Sequence, residues 1–142
     1  MNLNSEFTHK DLPVYSFKTE ADLLNWLSKN HQISTGFWLH FYKKATKIPS
    51  VNYSESVDAA LCYGWIDGLL NPYDDESYLV RFTHRRPSSV WSKVNVAKAE
   101  KLIAEKRMQP SGLAEIESAK LDGRWAAAYS GKNQAKSLKV KK

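Results

Sequence analysis

Hydrophobic and polar positions alternate cleanly along one stretch of the chain, Gly36 to Tyr42. There Phe37, Leu39 and Phe41 share one side and Trp38, His40 and Tyr42 the other. That period predicts a strand covered on one face and partly covered on the other. Upstream, Val14, Tyr15 and Phe17 suit a short strand, and residues 1–11 read as a weakly ordered lead-in. Thr19 suits a helix cap, with Asp22 in the first turn, Leu23, Leu24 and Leu27 on one side, and Asn30 as a left-handed stop. Downstream, residues 47–51 form a turn containing Pro49. Asn52 and Glu55 then make a capping-box pattern for a second helix, in which Val57, Ala60 and Leu61 lead to Gly64. Residues 65–70 and 77–82 read as a hairpin turning at Asn71, Pro72 and Tyr73.

The second half is helical in pattern. Ser89 is placed to cap the longest helix, running to about Arg107, and Pro110 opens another. In that last helix Leu113 and Ile116 should face inward, and it should stop at Asp122-Gly123 before a short segment carrying Trp125 and Tyr129. The element order, roughly βαβαββααα, predicts a single α+β domain over residues 12–129, an antiparallel or mixed sheet with helices packed to one side. No Gly-rich phosphate loop and no strict βαβ alternation is present, which argues against a doubly wound nucleotide-binding fold.

A chain of 142 residues, 42% hydrophobic and 25% charged, fits one domain with its own core. No run of apolar residues is long enough to span a membrane, and the first residues lack the basic and apolar regions of a secretory signal. Cys62 is the only cysteine, so no intramolecular disulfide forms; with the rest, this points to the cytoplasm. The net charge of +6 is concentrated at one end. Residues 130–142 hold five lysines and no acid, and without them 16 basic residues face 15 acidic ones. This tail is expected to be disordered and suited at most to weak polyanion binding. Residues 81–107 remain basic, with eight cations against Glu100 and Glu105.

Candidate chemistry gathers in that basic stretch. On a helix begun at Ser89, Trp91, Val96, Ala99, Leu102 and Ile103 fall in an arc about 140° wide, with Asn95 inside it. Asn95 is then either a structural amide tied to backbone or a pocket-lining group beside Trp91. The unpaired N–H groups and positive dipole of the helix start, with Arg85, Arg86, Ser88, Ser89 and Ser92 around it, suit a phosphate, sulfate or carboxylate. Alternatively Arg85 and Arg86 pair with an acid, Asp67, Asp74, Asp75 or Glu76. Trp65 and Asp67 lie in a glycine-flanked strand start, and Gly123-Arg124-Trp125 could extend the same surface through Arg124. Arg81, Arg85 and Arg86 could instead meet a nucleotide or nucleic acid, and Asp67, Arg85, Trp91 and Asn95 could line an enzyme pocket. No catalytic constellation, metal-ligand spacing or cofactor motif is legible: the four histidines are unclustered and no Gly-x-Ser-x-Gly turn exists. Cys62 reads as a small buried hydrophobe.

The segment 60–68 (Ala-Leu-Cys-Tyr-Gly-Trp-Ile-Asp-Gly) is followed by 81–92 (Arg-Phe-Thr-His-Arg-Arg-Pro-Ser-Ser-Val-Trp-Ser) and Asn95. These, with Gly112, Ala119, Asp122-Gly123-Arg124-Trp125 and Ala128-Tyr129, resemble the YdeI/OmpD-associated, or bacteriocin-protection, family. The resemblance runs from about Phe17 to Tyr129. It implies a YjbR/CyaY-like α+β fold and either protection against bacteriocins or antimicrobial peptides or association with an outer-membrane porin. Together with the lack of a catalytic constellation, it suits a non-catalytic protein that binds a partner or a small anion and contributes to that tolerance. It supplies no catalytic residues. Two departures stand out: His84 replaces a usual proline, and the lysine tail from Ser130 stands where many members continue into a helical domain.

Overall fold

The computed structural model describes residues 7–128. Strand β1 (Phe7–His9) and strand β2 (Leu12–Tyr15) form a hairpin, and helix α1 (Glu20–Asn30) follows. Strand β3 (Phe37–Tyr42), a 3-10 turn at Lys44–Thr46 and helix α2 (Tyr53–Cys62) come next. The long hairpin of β4 (Trp65–Asp74) and β5 (Ser77–His84) precedes helices α3 (Lys93–Ala104) and α4 (Pro110–Leu121). The sheet order is β1-β2-β3-β5-β4. Only β2 and β3 run parallel, so the sheet is mixed and the class is α+β, as the element pattern predicts.

The helices do lie on one side, but in two layers. Leu23, Trp26 and Leu27 of α1 and Ala59 and Ala60 of α2 meet Phe37, Leu39, Phe41, Trp65, Val80 and Phe82 of the sheet. The opposite flank of α2 presents Val57, Leu61 and Cys62 to Trp91, Ala99, Leu102, Ile116 and Ala119. Helix α2 therefore buries apolar residues on two flanks, as a helix packed on two sides must. Gly112 permits its close approach to α4: a Cβ there would sit 2.5 Å from the Cys62 carbonyl oxygen.

Among the described residues no helix packs on the other face of the sheet. It closes by curling, so that its two edge strands reach across it. Phe7 of β1 stacks on Tyr73 of β4 at 5.2 Å, and His9 Nε2 donates to Asn71 Oδ1 at 3.0 Å. Beneath them lie Val14, Trp38 and Leu79, with buried His40 donating from Nε2 to Ser77 Oγ, which donates on to Asp74. Both faces of β3 are thus covered, more completely than its alternation implies.

Several boundaries differ from the sequence expectation. Residues 7–9 are strand rather than lead-in, because they complete this curled face. Asn30 stays helical and donates its amide to the Trp26 carbonyl; His31 is the C-cap, with a right-handed backbone. The hairpin turns at Asp75 and Glu76, two residues past Tyr73, since Pro72 is tolerated on an edge strand beside a bulge. Ser92, not Ser89, caps α3, its side chain accepting from the Asn95 backbone N–H. Leu113 is exposed, while Gly112, Ile116 and Ala119 form the inner face of α4. Residues 122–127 are turns rather than a further helix. The lysine tail and Tyr129 lie outside the described residues.

Candidate functional site

A cleft of about 840 Å³ opens where the first turns of α2 and α3 face the start of β4. Asn52 caps α2 through a complete capping box, which fixes Tyr53 and Ser54 at the cleft wall. Gly64, at φ +78°, turns the chain from α2 into β4 and brings Ile66 and Asp67 opposite them. The Ser92 cap fixes the third wall, placing Val94, Asn95 and Lys98. Ser89, Val90 and Ser92 complete it from the loop before α3. The walls are largely apolar, through Val57, Ile66, Val90 and Val94, with a few polar groups converging among them.

Two charges line this cleft. Asp67 accepts a hydrogen bond from the Tyr53 hydroxyl. Burial, that bond and the Asp67 charge together push the Tyr53 phenol well above its ordinary range, so it stays a neutral donor. Lys98 donates to Ser54 Oγ at 2.8 Å and to the Asp58 carboxylate at 3.0 Å. Its charge is met from its own neighbourhood.

Of the residues singled out from sequence, Asp67, Ser89, Ser92 and Asn95 line the cleft. Trp91 precedes α3 instead of sitting on it, so Asn95 and Trp91 do not share a helical face. Trp91 is buried between α2, α3 and α4. Arg85 is also turned inward, 5% exposed, with its guanidinium 3.7 Å over the Trp91 ring and Nη1 donating to the Val90 carbonyl. Arg124 donates to the Asp122 carboxylate at 2.7 Å and to the Ser89 carbonyl at 2.8 Å. Glu115 faces Arg85, Arg124 and His84, which draw its carboxyl down, but burial outweighs them and raises it. This basic block therefore holds the 86–92 loop, one wall of the cleft, against α4. Arg81, Arg86 and Ser88 are exposed and Trp65 is in the main core; none of the four lines the cleft.

Sequence reasoning missed Tyr53, Ser54, Val57, Ile66, Val90, Val94 and Lys98. The capping box at Asn52 was a usable signal for the first two, because a capped helix start places its first turn rigidly. Nothing local signals the Tyr53–Asp67 pair, which spans fourteen positions and a helix-to-strand turn. Cys62 is buried, and burial pushes its thiol up to about 11, the environment of a core residue rather than a nucleophile. Among the described residues no group of three or more His, Cys, Asp or Glu side chains is placed to hold a metal ion.

A family model described as "Domain of unknown function (DUF8412)" matches residues 15–115, a stretch that contains every residue of the cleft. No curated protein and no solved structure matches the chain.

Proposed function

The chain belongs to the DUF8412 family, a domain of unknown function, and from its cleft we infer that it is a non-catalytic protein that binds a small amphipathic molecule. One observation carries this reading: a concavity of about 840 Å³ whose apolar walls enclose a few polar side chains held by helix caps. That is the composition of sites that bury small ligands. Val90 and Val94 support it further, being 68% and 58% exposed at the cleft although both are apolar. The lone carboxylate of Asp67 is bonded to a phenol that keeps its proton, so the pair offers recognition and no proton relay.

A fragment library screened by amide chemical-shift perturbation tests this. Binders should shift Val57, Ile66, Val90 and Val94 together, and Val94→Trp should abolish those shifts without unfolding the protein. Binders that shift other surfaces and spare these four would overturn it.

The likeness of residues 60–68, 81–92 and Asn95 to the YdeI/OmpD-associated family supports a part in tolerance of bacteriocins or cationic peptides, and the single cysteine supports a cytoplasmic setting. Among the described residues no helix is long and apolar enough to cross a membrane. Gene deletion that leaves survival under bacteriocin challenge unchanged would remove this cellular half and leave the cleft reading intact.

A further inference from the structure

We propose that the cleft selects organic ammonium compounds, a protonated amine on an apolar body, with Asp67 as the counter-charge. This rests on the reading of the cleft as a small-ligand site and names its ligand class.

The argument is a balance of charges. Lys98 is neutralised at 3.0 Å by Asp58. Arg124 is neutralised by Asp122, and Arg85 is stacked on Trp91 behind the cleft wall. Among the described residues no lysine, arginine or histidine pairs with Asp67; its partner is the neutral Tyr53 hydroxyl. A half-buried carboxylate beside Ile66 and Val57 is thus left with its charge uncompensated, and a low-dielectric wall raises the value of a cation arriving there. Tyr53 spends its proton on Oδ2 and keeps acceptor capacity on its own oxygen, while Asp67 Oδ1 stays available. Asn95 adds an amide that makes no side-chain bond among the described residues, half-buried in the same cleft. Three acceptors in one concavity suit the three N–H donors of a primary ammonium.

The rest of the lining specifies the body of the ligand. Val57, Ile66, Val90 and Val94 offer aliphatic surface, which favours an alkyl or aryl group over a bare metal ion or a polyol. A hydrated cation would strand those side chains, and a neutral alcohol would leave the Asp67 charge unmet.

Three probes of similar size decide the matter: 2-phenylethylamine, 2-phenylethanol and phenylacetate. Each is titrated into the full chain, read by calorimetry and by amide shifts at Ile66, Val94 and Asn95. The amine should bind about tenfold more tightly than the alcohol, the step between a charge-assisted and a neutral hydrogen bond. Asp67→Asn should erase that ratio by weakening the amine, and Tyr53→Phe, which removes one acceptor and leaves the charge, should lower it without erasing it. An amine no tighter than the alcohol, or a preference for phenylacetate, overturns the ammonium assignment yet leaves the small-ligand cleft standing. Cleft amides unmoved by all three probes at millimolar concentration overturn both. The wild-type ratio needs no variant, so the test survives if Asp67→Asn fails to fold.

Discussion

On the helical face of the sheet, large aromatic side chains are buried completely and meet other apolar groups. Trp65 lies against Trp26 and Phe37, which stacks on Phe82 at 5.7 Å. On the curled face, half-exposed rings and polar links do the closing: Phe7 on Tyr73, His9 to Asn71, His40 to Ser77 to Asp74. The first face holds by displaced water and tight contact. The second holds by several partial contacts, each replaceable in part by solvent. Damage to the two should therefore differ in size and in kind.

Trp65→Ala should cost the most, about 3–5 kcal/mol by urea denaturation, since it empties a site with no exposure on the helical face. Gly112→Ala should come next, at about 1–3 kcal/mol, because the added methyl would lie 2.5 Å from both the Cys62 carbonyl oxygen and the Met108 sulfur. Alkaline titration probes the same dry interior. The Cys62 thiol is raised from an ordinary 9.0 to about 11, so the folded chain keeps a proton that the unfolded chain releases. Stability should be complete below about pH 9 and fall as pH rises toward 11, and that part of the slope should vanish in Cys62→Ala. On the curled face, Tyr73→Ala removes a ring that is 50% exposed, and should cost about 1 kcal/mol. A loss there equal to that of Trp65→Ala would show that the two faces are held alike.

How far the fold could be read depended on how local each cause was. The alternation at Phe37–Tyr42 and the capping box at Asn52 are both short-range signals, and both appear as read. The hairpin turn was misplaced because Pro72 is a turn former by itself, and only its place on an edge strand makes it extended. Ser89 and Ser92 are chemically equivalent caps. The choice of Ser92 follows from Trp91, which must leave the helix line to lie under Arg85. The same contact explains why Arg85, in the most visible part of the sequence, is absent from the cleft. The charge of the arginines reads as exposed in one dimension, but Arg85 meets an aromatic face and Arg124 a carboxylate and a carbonyl. Asp67 was legible as a residue, in its glycine-flanked strand start. Its partner Tyr53 was not, because helix and strand meet there only through tertiary packing.

The crossing of β1 toward β4 also bears on how the protein behaves when crowded by its own copies. An open sheet has two edges, and an unguarded edge invites a strand from another molecule. Here β4 carries Pro72 and two register shifts, which deny a regular ladder to any incomer. Its side chains at 71 and 73 are engaged by His9 and Phe7 of the opposite edge strand. The curl that shields Trp38 thus also guards against strand-mediated aggregation, a protection that a flatter sheet of the same order would lack.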